Sequence, residues 1–279
     1  MPTSVELANG LVSAAGSGDA SDAALVAARV AVFPEAVLSR LQQNRTRVRA
    51  CRNSITDHLV SLQGQVPRGW PPGSTWDMVP GIFNPSTNEV VIAVIGHGTD
   101  AGPHIPLSGE GEGSADLVVH ETGHGLDMGG GSPFLSASQA FNAARNADLN
   151  QVTQYETQPA EAGQEETFAE SAARFFTAQD NAMPQLHLYW TNIASELAAL
   201  GSGGGPFHFP FFSTIGSASI ASDGTTIRMR LRATTEDGVI GDGLLMVPDS
   251  HPKRKQIEDH IKDINTTRNS TRSVVVPAF

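Results

Sequence analysis

The chain has 279 residues, of which 39% are hydrophobic and 17% charged, and its formal net charge is −11. No apolar run approaches the roughly 18 residues that a membrane span requires, so we expect a soluble, globular protein. Residues 1–250 carry 26 acidic and 12 basic side chains, which argues against nucleic acid and anionic membranes as partners.

The sequence contains a single cysteine, Cys51, which rules out an internal disulfide and any zinc site built from several thiolates. A metal ion bound here would therefore need His, Asp or Glu ligands. The N-terminus has neither a positively charged segment nor a sustained apolar segment, so no Sec-type signal peptide is predicted. We expect a protein that is cytoplasmic or secreted by another route.

The N-terminal part gives two predictions. Residues 1–33 are rich in Ala, Gly, Ser and Asp, which favours a weakly ordered leader with one short helix around Asp22–Val30. From residue 34 to about 63, apolar residues recur every seven positions, at Leu41, Val48, Ile55 and Leu62. This spacing predicts one long amphipathic helix.

The middle of the chain, residues 66–128, is predicted to contain an irregular segment, a strand, a loop and a helix. Residues 66–85 are rich in Pro, Gly and Trp, which disfavours a regular helix, and the apolar, β-branched segment 89–95 then predicts a strand. A glycine-rich loop spans 96–113. Ser114 is a suitable N-cap and three glycines follow residue 128, so residues 115–128 are predicted to form one helix.

Helices are also predicted at 163–178 and 185–200, and the glycine-rich segment 201–205 marks a boundary. Beyond it, two Asp-Gly pairs separate three strand-like segments, which predicts a small antiparallel sheet with a helix near 253–264. The strands are predicted at 216–221, 225–233 and 239–247. The predicted organisation is thus a leader at 1–33, a main domain at 34–205 and a small β-rich region at 206–279.

Three arginines alternate with apolar residues in the second of these strands, at Arg228, Arg230 and Arg232. Side chains two residues apart share one face of a strand, so the three guanidinium groups are predicted to lie together. This face could bind an acidic partner, such as the acidic body of the chain itself. The alternative is an ordinary solvated face.

The helix at 115–128 contains the sequence HExxH. Residues four apart on a helix differ by about 40° in direction, so His120 and His124 can bind one Zn²⁺ together. Glu121 lies about 100° around the helix, beside the metal, where its carboxylate can take a proton from a metal-activated water molecule. The alternative is a chance match of polar residues on a helix surface.

A catalytic zinc site usually has three protein ligands. In the helix 163–178, Glu166 and Glu170 share a face, so the simplest prediction is that one of them is the third ligand and the other supports the site through hydrogen bonds. Asp127 faces the metal side, but the same helix cannot easily deliver it as a ligand, so a supporting role is favoured. Glu165 and Asp127 remain alternative third ligands.

The segments WDMVPGIFNPSTNEVVIAV, VVHETGHGLD and EETFAESAARFF together resemble the peptidase domain of the anthrax lethal factor and Pro-Pro endopeptidase family, over roughly residues 66–200. The resemblance implies a gluzincin-type zinc metallopeptidase, with His120, His124 and Glu166 as ligands, Glu121 as the base and Glu170 as a carboxylate that supports the ligands. It also implies a fold of the α+β class. This would be a mainly helical, zincin-like peptidase domain with a short sheet, followed here by the small antiparallel sheet and helix.

Family members usually carry a Tyr seven residues before the third ligand, where this chain has Pro159. Tyr155, four residues earlier, is the candidate for stabilising the transition state, and the alternative is a packed or exposed loop residue. The family binds substrate along a sheet edge beside the zinc helix, so a peptide is predicted to lie extended along strand 89–95. Members are often secreted toxins or effectors.

The favoured function is a zinc-dependent endopeptidase in which Glu121 deprotonates the attacking water. The alternative is a catalytically silent module in which zinc is structural and the arginine-bearing sheet recruits a protein partner. A metal site closed by protein ligands would favour the silent module.

Overall fold

The structure is a computed structural model, and it describes residues 2–68, 70–130, 134–158, 161–177, 183–200, 214–221, 223–235, 239–251, 254–255, 257–259, 261 and 274–277. The helices are α1 (Ser4–Leu11), α2 (Ala20–Val30), α3 (Glu35–Gln43), α4 (Leu117–Met128), α5 (Gln139–Ala147), α6 (Glu161–Phe176), α7 (Pro184–Thr191) and α8 (Ile193–Leu200). The strands are β1 (Val12–Ala14), β2 (Arg47–Arg52), β3 (Gly81–Asn84), β4 (Glu89–Val94), β5 (Thr214–Ile220), β6 (Ile227–Thr234), β7 (Ile240–Val247) and β8 (Val274–Pro277).

The strands form one mixed sheet in the order β1-β2-β4-β3-β7-β6-β5-β8. β1, β2 and β4 run parallel, whereas β3 is antiparallel to both of its neighbours, β4 and β7. The predicted α+β class is confirmed, and so are the three antiparallel strands of the C-terminal part. These strands continue the main sheet through the pairing of β3 with β7.

The central strand β4 separates two hydrophobic clusters. Alternate residues of a strand point to opposite faces. Val90 and Ile92 accordingly pack with the helices α4 and α6 on one face. Val91 and Ala93 pack on the other face with residues of β6 and two tryptophans. The helix that carries the HExxH sequence therefore lies against one face of the sheet.

The prediction that a peptide adds to the strand at 89–95 is wrong, because that strand has no free edge. β4 is hydrogen-bonded to β2 along one side and to β3 along the other, and all six of its residues are buried. The prediction failed because β3 forms within the Pro- and Gly-rich segment, where no strand was expected. β3 lies between β4 and β7, and it therefore joins the N-terminal strands of the sheet to the C-terminal strands.

The predicted weakly ordered leader is also wrong. α1 and α2 each begin with a reciprocal capping box, formed by Thr3 with Glu6 and by Asp19 with Asp22. Both helices bury apolar residues in the core, among them Leu7, Leu11, Val26 and Val30. The short helix predicted around Asp22–Val30 is confirmed as α2.

The long helix predicted from residue 34 to 63 is interrupted after α3. Arg45 adopts the left-handed conformation with φ 59°, which ends the helix, and the chain then enters β2. Val48 and Ala50 are buried on one face of that strand, so period-2 alternation applies there, and the heptad spacing of apolar residues was coincidental.

The helix predicted at 163–178 is α6, and the one predicted at 185–200 is broken at Asn192 into α7 and α8. The predicted boundary at 201–205 and Pro159 lie outside the described residues. Among the residues that are described, no helix is both long enough and apolar enough to cross a bilayer.

Candidate metal centre

The two histidines of the HExxH sequence lie on successive turns of the buried helix α4. Their ring centroids are 4.9 Å apart and both side chains are buried. The helix begins two residues later than predicted, because Asp116 and not Ser114 is the N-cap and accepts a hydrogen bond from the backbone N–H of Val119. The change leaves His120 and His124 on one face, as expected from their spacing.

Glu166 of α6 lies opposite the two histidines. Its Oε2 atom is 3.5 Å from Nε2 of His120 and 3.6 Å from Nε2 of His124. The two helices approach closely where Gly123 of α4 faces Ala169 of α6. A Cβ atom on Gly123 would lie only 3.0 Å from Cα of Ala169, so a larger residue would hold the helices further apart. A glycine at this crossing therefore brings the carboxylate of α6 to the imidazoles of α4.

A fourth side chain, Asp242 of β7, enters the same group. Its Oδ2 atom is 2.7 Å from Nε2 of His120, and ligand atoms of His120, His124, Glu166 and Asp242 all lie within 4.8 Å of one another. Sequence reasoning missed Asp242. The available signal was an acidic residue between two glycines in an otherwise apolar strand.

The residues of this group fit a metal ion. Both nitrogens of His120 and His124, both oxygens of Glu166 and Oδ2 of Asp242 are buried without a partner of acceptable hydrogen-bond geometry. Ligand atoms at about 2.0–2.2 Å from one tetrahedral ion are about 3.3–3.6 Å apart. The His–Glu separations agree with this spacing, whereas the 2.7 Å between Asp242 and His120 is shorter. Imidazole and carboxylate are also ligand types that Zn²⁺ accepts.

Charged neighbours set the ionisation of the group. Burial alone would raise the pKa of Glu166, but the guanidinium of Arg232, 3.0 Å from Oε1, and the two histidines hold that pKa well below its usual range. Burial would likewise lower the pKa of His120, and the carboxylates of Asp242, Glu166 and Glu170 close to its ring nitrogens instead raise it well above its usual range. The surrounding carboxylates therefore favour a positive charge at this point.

Glu121 is buried beside the group and does not belong to it. Both of its carboxylate oxygens lack a hydrogen-bond partner. Its Cγ would lie 3.0 Å from a Cβ atom on Gly81, so the side chain extends along the inner face of β3. Burial raises the pKa of Glu121 well above its usual range; His120 opposes this shift and Asp242 adds to it.

Glu170 contacts the other nitrogen of a histidine. Its Oε2 atom is 3.2 Å from Nδ1 of His120, and its carboxylate also pairs with Arg230 at 3.1 Å and Arg174 at 3.3 Å. A carboxylate at this position fixes the orientation of the imidazole. Asp127 lies outside the group and accepts a hydrogen bond from the backbone N–H of Ser136 at 2.7 Å.

Tyr155 reaches the group through Asp242. Its hydroxyl donates a hydrogen bond to Oδ1 of Asp242, and the guanidinium of Arg230 lies 4.2 Å from the centre of its ring. Burial, followed by the charges of Asp242 and Glu166, raises the pKa of the tyrosine well above its usual range. The phenol is therefore a hydrogen-bond donor at neutral pH.

Two of the three arginines of β6 face the acidic residues of α6. Arg232 lies 2.6 Å from Glu165, and Arg230 pairs with Glu170, whereas Arg228 is exposed. The acidic partner of these two guanidinium groups is thus the body of the chain. This explains why a strand from the C-terminal part can lie over a cluster of buried carboxylates.

Comparison with known proteins gives a match to the family described as anthrax toxin lethal factor, N- and C-terminal domain, over residues 7–189. No curated protein sequence matches. Among solved structures, the chain is similar to the Pro-Pro endopeptidase PPEP-2 from Paenibacillus alvei, with 25% sequence identity and a TM-score of 0.54. That match covers 67% of this chain and 99% of the PPEP-2 chain.

Proposed function

The chain belongs to the family of the anthrax toxin lethal factor, N- and C-terminal domain, and from this membership we propose that it is a zinc-dependent endopeptidase. The observation that carries the proposal is the convergence of His120, His124 and Glu166 on one buried point, where their ligand atoms make no hydrogen bond of acceptable geometry. These three residues would hold the zinc ion. The similarity to PPEP-2, a Pro-Pro endopeptidase, supports peptide bonds as the substrate class.

A zinc ion in this position would supply Lewis acidity, polarising the scissile carbonyl and lowering the pKa of water. Glu121, adjacent to the ligands, is proposed to accept a proton from the attacking water and to deliver it to the leaving amine. Glu170 orients His120.

Tyr155 is the candidate for stabilising the developing oxyanion. Its phenol is protonated and lies at the group, although its proton is engaged by Asp242. The substrate peptide is proposed to lie extended beside β3, because Gly81 brings the main chain of that strand next to Glu121.

A second candidate is the catalytically silent zinc module. Asp242 favours this candidate because it adds a fourth possible ligand to His120, His124 and Glu166, and structural zinc sites are closed by four protein ligands. The two functions differ in whether the chain hydrolyses any peptide when its zinc is present.

The test is cleavage profiling with an unbiased peptide library that includes Pro-Pro sequences. Wild-type protein should cleave, zinc removal should abolish cleavage and added zinc should restore it. Glu121→Gln should hold zinc without cleaving, because the amide cannot act as a base. Glu161→Gln, at an exposed position in the first turn of α6, is the matched control and should cleave like the wild type.

A further inference from the structure

The candidate centre is closed to solvent. His120 is 1% exposed, and Glu121, His124 and Glu166 are 0% exposed. A peptide bond cannot reach a ligand set buried to this degree without a movement of the chain. An element that covers the site must therefore move.

The strand β7 covers the edge of β3. The two strands pair antiparallel, with Gly81 opposite Asp242, Ile82 opposite Gly241 and Phe83 opposite Ile240. Gly81 is the residue whose Cβ position lies beside Glu121. An extended peptide that added to β3 by main-chain hydrogen bonds would need the same groups that β7 occupies.

The contact is built into the sequence of β7. A Cβ atom on Gly241 would lie 2.3 Å from Cγ2 of Ile82 and 2.7 Å from the carbonyl oxygen of Gly81, so only glycine permits this approach. The next residue, Asp242, is 1% exposed and directs one carboxylate oxygen at His120. Tyr155 fixes the other oxygen.

The covering strands lie outside the part of the chain that matches the family. The family match ends at residue 189, before β6 and β7 begin. The similar solved structure is covered over 99% of its length, whereas a third of this chain has no counterpart in the match, which covers 67%. The residues proposed for the chemistry, at 120, 121, 124 and 166, all fall within the matched part.

We propose that β7 is an internal occupant of the substrate-binding edge of β3 and that Asp242 is a fourth protein ligand of the metal. The described conformation is then the latent state of the peptidase, and wild-type protein cleaves only in the fraction of chains in which β7 has left the edge and opened one coordination position. This inference rests on the proposed function. A site with three protein ligands has a position for substrate, whereas a site with four does not.

The experiment uses full-length protein loaded with Co²⁺, whose visible spectrum reports the ligands. Acetohydroxamate is titrated into wild type, Asp242→Asn and the matched control Asp249→Asn, whose side chain is 94% exposed. We expect Asp242→Asn to change the spectrum and to bind acetohydroxamate at least about tenfold more tightly than wild type. Asp249→Asn should behave like wild type.

A second variant acts on the strand and not on the ligand. Gly241→Val should push β7 from β3 and give the same gain in acetohydroxamate binding, whereas Met246→Val, at an exposed position of the same strand, should not. Gly241→Val therefore tests the proposal even if Asp242→Asn fails to fold. Zinc-loaded Asp242→Asn and Gly241→Val should also cleave library peptides at least about tenfold faster than wild type.

Equal acetohydroxamate affinity in the wild type and both variants would overturn the inference. If all chains also cleave at equal rates, the proposed function stands and only the inference fails. If the affinities differ as expected but no chain cleaves, the closed site is supported and the proposed function fails. Loss of wild-type cleavage in Asp242→Asn would contradict an inhibitory role for this residue.

Discussion

Arg232 joins the C-terminal part of the sheet to the proposed metal ligand Glu166, with 3.0 Å between the guanidinium and the carboxylate. The same guanidinium lies 2.6 Å from Glu165, and both acidic side chains are buried. In β6, Arg232 stands opposite Asp242 of β7. A strand outside the family match thus supplies the charge that keeps Glu166 ionised.

Replacing Arg232 with Met should destabilise the protein, because two buried carboxylates lose their cationic partner. The cost of breaking a buried ion pair is about 3–5 kcal/mol, and zinc affinity should also fall by about 10–100-fold as Glu166 loses its orientation. Urea unfolding and competitive zinc titration measure the two effects. Arg228→Met, at an exposed position of the same strand, is the control. Equal behaviour of both variants would show that the pairing has no energetic role.

Glu166→Gln should lower the zinc content of the purified protein, because the amide is a weaker ligand than a carboxylate. Elemental analysis beside wild type and Glu161→Gln measures this directly. The control lies on the same helix and is exposed. Full zinc in Glu166→Gln would move the third ligand to another acidic residue, with Asp242 the first to examine because it lies in the same group.

Gly123→Ala should destabilise the protein although alanine is favoured over glycine in helices by roughly 1 kcal/mol. The added Cβ would lie 3.0 Å from the backbone of Ala169 and would push α6, with Glu166, away from the histidines. Thermal unfolding with and without zinc measures the change. Gly10→Ala in α1 meets only the flexible end of Gln42 and should raise the melting temperature instead. A rise in both variants would mean that the helix crossing tolerates the methyl group.

Cys51 should resist alkylation in the folded protein. Burial, together with the charge of Asp57, raises the pKa of its thiol to about 12, so the reactive thiolate is scarce at pH 8. Iodoacetamide labelling followed by mass spectrometry should be at least about a hundredfold slower than for the chain unfolded in urea. Raising the pH increases the thiolate fraction and should speed labelling. Labelling at the unfolded rate at pH 8 would contradict the buried position of β2.

The sequence predicted the helix of His120 and His124 because helical periodicity is local. The spacing i and i+4 places both imidazoles on one face whatever the rest of the fold does. Glu166 was found by the same rule together with the family resemblance. Its distances to the two imidazoles, 3.5 and 3.6 Å, agree with that prediction and leave the ligand assignment itself a proposal.

Asp242 could not be predicted in this way, since its place depends on the pairing of β7 with a strand about 160 positions earlier in the chain. No local pattern encodes such a partner. The prediction of one long helix was wrong for a related reason. The spacing between Leu41 and Val48 matched a heptad, but Arg45, in the left-handed conformation, separates the helix α3 from the strand β2 there. Short-range patterns located the helix of His120 and His124, and long-range strand pairing determined what covers it.

The most direct test of the latent-peptidase proposal is cleavage of a peptide library by zinc-loaded Asp242→Asn, compared with the double variant Asp242→Asn/Glu121→Gln. We predict cleavage by the single variant, none by the double variant and the same zinc content in both, because only the base differs. Equal cleavage by both would remove Glu121 from the chemistry. No cleavage by either protein at full zinc content would contradict the proposed peptidase and support a silent zinc module.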